Sequence, residues 1–154
     1  LAEYCAAVAN NGERHSASIL KSVRSYDYSE QIYDRQDEVL STVESPQYNW
    51  DAIHEGMKEV INSPLNETNY LNFYDCAVTV AGKTGTAQKG EGIKNDGLFI
   101  CYAPYEDPEI AVAVVVERGH AGASVGFIAR QIVDVYLNIR SYSNTSESEM
   151  SLLK

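Results

Sequence analysis

One short stretch of the chain contains residues whose types and spacing could do chemistry. Residues 81–88 read Ala-Gly-Lys-Thr-Gly-Thr-Ala-Gln and follow a short β-rich run. Gly-Lys-Thr after a strand binds phosphate when it closes a G-x-x-x-x-G-K-[ST] loop that leads directly into a helix. The position five before Gly82 is Ala77, and the residues after Thr86 are polar and glycine-rich. Both requirements fail, so nucleotide binding is the weaker interpretation.

The second chemistry open to this stretch is acyl transfer through a serine that lies beside a lysine. The ammonium group of Lys83 would favour a deprotonated partner and attract a substrate carboxylate. The hydroxyl of Thr84 could bind the same carboxylate, and Gly85 would leave room for an extended substrate along the strand. The backbone N–H of Thr86 would then be one oxyanion donor. A bare Lys-Thr-Gly also fits a strand end with a turn, so the flanking sequence must decide.

The longer sequence resembles the third active-site motif of class B penicillin-binding proteins, the monofunctional D,D-transpeptidases of cell elongation, division and sporulation. Flanking blocks agree with that family in order and spacing. They are residues 1–4 with 9–12, similar to a helix ending in A-N-G-G; residues 54–57 with 60–61, similar to an R-E-G-M helix; residues 99–104, similar to an F-x-G-Y-A-P strand; and residues 110–117, similar to the last strand. The resemblance covers roughly residues 1–139.

This resemblance implies the activity and the residues that carry it. The parent protein would attack the penultimate D-Ala of a peptidoglycan stem peptide, release the terminal D-Ala and pass the acyl group to an amine. Lys83, Thr84, Gly85 and Thr86 would be catalytic, and Lys83, Thr84 and Thr86 would contact the substrate. β-Lactams would mimic that substrate, no cofactor is implied, and elongation or division proteins are possible partners. The parent would lie on the extracytoplasmic face of a bacterial membrane, anchored through a segment outside this chain.

The chain departs from the family pattern in two ways. Residues 95–99 read Asn-Asp-Gly-Leu-Phe where the family usually shows N-H-A-W-F. Residues 18–21 read Ser-Ile-Leu-Lys, which spells S-x-x-K, but they follow the first helix in a strand-like segment, so we interpret them as a coincidence. No S-x-N triplet occurs, and the nearest imitation is at residues 25–27. We therefore expect the chain to carry one wall of the active site without its nucleophile.

Two alternatives remain open from the sequence. The first is a sensor or binding module that recognises penicillin, wall peptide or a divisome partner without catalysis. Intact S-x-x-K and S-x-N motifs upstream would indicate an enzyme, and their loss would indicate a binding module. The second is a β-lactamase, which would need a deacylating base for which this chain shows no distinct signature.

Composition excludes several other classes of protein. With 154 residues and 44% hydrophobic side chains, the chain predicts one domain. Its formal charge of −10, from 22 acidic and 12 basic residues, disfavours nucleic-acid binding. The three cysteines show no CxxC spacing and the three histidines are scattered, so no metal site is predicted. No apolar stretch is long enough to span a membrane, and we expect no membrane contact by this chain.

The first half of the chain predicts helices around an exposed segment. Residues 1–12 have helical spacing and end at Gly12, and residues 14–24 predict a strand. Residues 26–41 predict an exposed, charged excursion. Ser45 as cap and Pro46 at the first helical position predict a helix up to residue 63. Its apolar face would consist of Trp50, Ile53, Met57, Val60 and Ile61.

The second half predicts the sheet that would position the motif. Residues 76–81, 98–103 and 110–117 predict an antiparallel meander, with the motif on or just past the first strand. Residues 122–139 predict a final helix, and the polar residues 141–154 predict a disordered tail. The fold class is therefore α+β, an antiparallel β-sheet with helices packed on its faces. The resemblance implies that residues 1–140 are the C-terminal part of the penicillin-binding transpeptidase, or serine β-lactamase-like, fold.

Overall fold

A computed structural model describes the backbone of residues 1–151 and the side chains of residues 1–138. It contains four α-helices and seven strands. In chain order they are α1 (Ala2–Ala9), β1 (Glu13–His15), β2 (Ser22–Arg24), β3 (Gln31–Asp34), β4 (Val39–Thr42), α2 (Gln47–Asn62), α3 (Glu67–Phe73), β5 (Ala81–Ala87), β6 (Asp96–Ala103), β7 (Ile110–Val116), a short 3₁₀ helix (Gly122–Val125) and α4 (Gly126–Ser151).

The main sheet has the order β5-β6-β7, and both pairs of strands are antiparallel. This confirms the predicted meander and the α+β fold class. The first strand differs from the prediction, because residues 76–80 are irregular and β5 begins at Ala81. The N–H of Cys76 bonds the carbonyl of Phe73, at 2.9 Å, and closes the turn that ends α3. The motif residues therefore form the strand themselves.

Helices cover both faces of this sheet. On one face, Phe99 and Cys101 of β6 are fully buried under α2, α3 and α4. On the other face, Tyr102 of β6 packs with Cys5 of α1, and both are at most 1% exposed. Burying apolar side chains on both faces is the main favourable term in the stability of such a layered fold. The two clusters hold the sheet between α1 on one face and α3 and α4 on the other, and α2 contributes to both clusters through Met57 and Ile61.

The helix α2 packs most of its predicted apolar face inward, and it differs from the prediction at two points. Trp50, Met57 and Ile61 are buried, but Ile53 is 43% exposed because it lies about 60° to the side of this stripe. His54 points inward instead, and its Nε2 donates to the carbonyl of Val8 in the last turn of α1, at 2.9 Å. The helix begins one residue later than predicted, since Pro46 is the N-cap residue.

The predicted strand over residues 14–24 is wrong as a single element. It consists of β1 and β2, which pair with β4 and β3 respectively. The serine-rich residues between them are held by Arg35, whose guanidinium donates to the carbonyl and the hydroxyl of Ser16. The excursion is exposed as predicted, although it contains the two short strands β3 and β4.

The C-terminal helix is also longer than predicted. The 3₁₀ helix precedes α4, and the helical backbone then continues to Ser151. It therefore runs into residues 141–154, for which the sequence predicts disorder, while residues 152–154 lie outside the described residues. The sequence pattern does not predict the helix α3. Within the described residues, no helix combines the length and the apolarity that crossing a bilayer requires.

Candidate active site

The candidate residues lie together on β5, an edge strand of the described sheet that pairs with β6. Lys83 is exposed and lies opposite Ile100 in the ladder. Its Nζ donates to the carbonyl oxygen of Thr84 at 2.8 Å. Lys83 forms no ion pair with any side chain that the structure describes. Its positive charge is therefore open to a group from outside the described residues.

The strand is held at its start by close packing of α2. A Cβ on Gly82 would lie 2.7 Å from the carbonyl oxygen of Ile100 and 3.1 Å from Cδ1 of Ile61. Side chains alternate along a strand, so Thr84 and Thr86 lie on the same face as Gly82. Glycine at this position lets α2 approach the backbone directly, which fixes the strand that carries the candidate residues.

Thr86 contacts the segment that follows β7. Its hydroxyl accepts a hydrogen bond from the N–H of Gly122, with the two atoms 3.3 Å apart. The opposite residue in the ladder is Gly97 of β6, on which a Cβ would lie 3.0 Å from the carbonyl oxygen of Ala121. Residues 119–122 therefore lie against the sheet directly behind Thr86.

Asp96 organises the connections next to the site. Its Oδ2 lies 2.7 Å from Nζ of Lys89 in the β5–β6 connection, and its Oδ1 accepts the N–H of Arg118 at 2.9 Å. The hydrogen-bonded ion pair with Lys89, and then the N–H of Arg118, hold the pKa of the Asp96 carboxyl below its usual value. One largely buried carboxylate thus ties both connections to the start of β6.

The S-x-x-K sequence at residues 18–21 lies apart from β5, in the irregular segment between β1 and β2. The hydroxyl of Ser18 bonds the backbone of Leu20, with its oxygen 3.1 Å from both N and O, and Ser18 and Lys21 are exposed. No serine in the described part of the chain bonds Lys83. No group of three or more described His, Cys, Asp or Glu side chains could hold a metal ion.

Asp96 and Gly122 are the site residues that sequence reasoning missed. Asp96 lies in residues 95–99, which depart from the family pattern. That departure is the one feature of the sequence that could have pointed to Asp96 as a site residue. The sequence predicts Gly122 only as the start of the final helix. Neither role can be read from local spacing, because each depends on contacts across more than 20 residues.

A scan of family models finds the penicillin binding protein transpeptidase domain, matching residues 1–134. The peptidoglycan D,D-transpeptidase MrdA of Haemophilus influenzae is 37% identical over 106 residues, covering 59% of this chain and 16% of its own length. Penicillin-binding protein 2B of Streptococcus pneumoniae is 31% identical over 147 residues, covering 88% of this chain.

Solved structures show the same likeness. An imipenem acyl-enzyme complex of penicillin-binding protein A from M. tuberculosis superposes with a TM-score of 0.74 at 27% identity. The match covers 88% of this chain and 29% of that one. The chain spans about a sixth to a fifth of the curated relatives it matches, at 16% of the MrdA length and 22% of the protein 2B length.

Proposed function

The chain belongs to the penicillin-binding protein transpeptidase family, and from that premise we propose that it supplies the Lys-Thr-Gly strand of a peptidoglycan D,D-transpeptidase. The observation that carries the proposal is the exposed Lys83, without an ion-pair partner among the described side chains, on an edge strand of the described sheet. The parent protein cross-links stem peptides through a serine acyl-enzyme and binds β-lactams as substrate mimics. The nucleophile comes from residues outside this chain.

Lys83 supplies positive charge at the mouth of the site. Its ammonium attracts the terminal carboxylate of the substrate and favours the deprotonated form of the group beside the nucleophile. The hydroxyl of Thr84 donates a hydrogen bond to the same carboxylate. Both groups act on the end of a D-Ala-D-Ala stem peptide or on the carboxylate of a β-lactam.

The edge of β5 can bind an extended substrate as an added β-strand. Among the described strands β5 pairs with β6, so an added strand can bond backbone groups along its other edge, apart from the carbonyl of Thr84, which accepts Nζ of Lys83. Gly85 leaves room for the substrate backbone, since it has no side chain. The N–H of Thr86 then points at the scissile carbonyl as one of the oxyanion donors.

The remaining parts of the reaction come from the rest of the protein. A lysine next to the serine takes its proton, and a second donor completes the oxyanion hole. The chain acts on the extracytoplasmic side of a bacterial membrane, where peptidoglycan is made. Proteins of cell elongation or division are the expected macromolecular partners.

The test is Lys83→Ala in the full-length protein. We expect the rate of acylation by a fluorescent penicillin to fall at least about 100-fold. The variant loses the positive charge that attracts the carboxylate of the β-lactam and favours the deprotonated group beside the nucleophile. Labelling is followed over time on a gel, at matched protein concentration.

Lys21→Ala is the matched control, because Lys21 is also an exposed lysine in a short motif. It should acylate at the parental rate. Parental acylation by Lys83→Ala, or an equal loss in both variants, would refute the role of Lys83. A full-length protein that binds penicillin reversibly, without a covalent adduct, would instead be a sensor.

A further inference from the structure

Gly122 approaches the backbone of β5 more closely than any side chain would allow. A Cβ built on Gly122 would lie 2.4 Å from the carbonyl oxygen of Gly85 and 2.6 Å from its nitrogen. It would also lie 2.3 Å from the carbonyl oxygen of Leu98, the ladder partner of Gly85. All three atoms belong to backbone, which cannot rotate away as a flexible side chain can. Gly122 is therefore seated directly on the peptide groups of the Lys-Thr-Gly strand.

The segment that carries Gly122 is held in a strained conformation. Arg118 has φ 56° and His120 has φ 67°, in the left-handed region that side chains other than glycine rarely adopt. Two acceptors at the start of β6 maintain these angles. The Oδ1 atom of Asp96 accepts the N–H of Arg118 at 2.9 Å, and the carbonyl of Asn95 accepts the N–H of His120 at 3.1 Å. A strained backbone conformation of this kind persists only where the surrounding structure holds it in place.

The position of Gly122 also orients the hydroxyl of Thr86. That oxygen accepts the N–H of Gly122, so its own proton remains free for another acceptor. Gly122 lies on the face of Thr86 and Val125, whereas Lys83 lies on the opposite face, because side chains alternate along β5. The segment 118–122 thus supports the strand from behind.

We propose that Gly122, held by residues 118–120, is a positioning residue that sets the depth and tilt of β5 at Gly85 and Thr86. This inference rests on the proposed function, in which the N–H of Thr86 is an oxyanion donor. A Cβ on Gly122 would have to push the strand or the segment by about 1 Å to reach an ordinary contact distance. A displacement of that size at a reacting group costs about 100-fold in rate.

The test is Gly122→Ala in the full-length protein. Acylation by a chromogenic or fluorescent β-lactam is measured over a range of concentrations, which separates the dissociation constant before acylation from the acylation rate constant. We expect the rate constant to fall about 10- to 100-fold, with a much smaller change in the dissociation constant. Loss of folding alone would lower the active fraction, and it would leave the rate constant of the folded molecules unchanged.

Gly56→Ala is the matched control. Gly56 lies in α2, and a Cβ built on it would meet no atom within 4 Å. It should acylate like the parent protein. Gly122→Ala that folds and acylates within about twofold of the Gly56→Ala rate constant would overturn the proposal, since 1 Å of displacement predicts far more.

A second pair of variants keeps the proposal testable if Gly122→Ala does not fold. Asp96→Ala removes the acceptor for the N–H of Arg118, so we expect it to lower the acylation rate constant. Asp96→Asn keeps an acceptor oxygen and should recover most of that rate. Equal rate constants for the two Asp96 variants would overturn the proposal. A wild-type protein that is not acylated at all would overturn the proposed function itself, which separates the two failures.

Discussion

The carboxylate of Asp96 makes the stability of this end of the sheet depend on pH. Its pKa is held below the usual value by Lys89 first and by the backbone N–H of Arg118 second. A group of this kind stabilises the fold above its unfolded pKa of about 4. That contribution is lost as the pH falls through the lower pKa of the folded chain. We therefore expect stability from Asp96 at neutral pH and none in strong acid.

The measurement is the melting temperature of the wild-type chain and of Asp96→Asn across this pH range. Asn keeps an acceptor for Arg118 but has no charge to pair with Lys89. The wild-type chain should melt higher near neutral pH, and the two curves should converge below about pH 4. A difference that stays constant from neutral to acid pH would contradict this prediction.

The roles of some site residues can be predicted from the sequence, and the roles of others cannot. Lys83, Thr84, Gly85 and Thr86 are contiguous, and their octapeptide frame carries the resemblance, so their position on one strand could be predicted. Gly122 could not be found in this way. Its role depends on backbone atoms of Gly85 and Leu98 that are brought to it only by the sheet register.

At the scale of elements, one arginine ties α4 to the end of α3. The side chain of Arg130 is 16% exposed. Its Nε donates to both carboxylate oxygens of Asp134, at 2.8 and 2.9 Å, and Nη1 donates to Asp75 at 2.6 Å. Nη1 also donates to the carbonyl of Asn72 at 3.1 Å. The planar guanidinium can serve all of these acceptors at once, which a lysine cannot.

We expect Arg130→Ala to lower the free energy of unfolding by about 2 kcal/mol, because several charge-assisted hydrogen bonds are lost together. Urea unfolding followed by circular dichroism measures the change. Arg24→Ala is the control, since Arg24 is exposed on β2. A surface change of that kind should stay within about 0.5 kcal/mol. Equal stability of the two variants would show that Arg130 does not hold α4 in place.

The elements that were predicted well are those with long, periodic patterns. β6 and β7 are nearly continuous apolar runs, and α2 has three buried positions at helical spacing. The strands β1 to β4 have only three or four residues each and are mostly exposed, so no burial pattern marks their ends. Their pairing is set by contacts such as Arg35 with Ser16, which lie 19 residues apart.

At the scale of the whole molecule, the apolar clusters that hold the fold together are distinct from the residues that would carry out the reaction. The described helices and the sheet bury two apolar clusters, yet no described serine lies in hydrogen bond with Lys83. Acylation needs a serine and a group that takes its proton. The described residues therefore form the layered arrangement without a serine hydrogen-bonded to Lys83.

We predict that the isolated 154-residue chain is not covalently labelled by a fluorescent penicillin. The full-length protein is the positive control, and circular dichroism checks that the chain is folded. Intact-mass spectrometry gives a second measurement that does not depend on the dye. A penicilloyl adduct on the isolated chain would contradict the prediction, and peptide mapping would then identify the serine that carries it.

Trp50 has a consequence for how this fold can be observed. It is the single tryptophan beside eleven tyrosines. Its buried ring lies against Gly12, where a Cβ would come within 2.7 Å of Cζ2. Excitation at the red edge of protein absorption therefore selects one indole at the junction of α1 and α2. Its emission is an intrinsic optical probe of whether these two helices are docked, and it needs no added label.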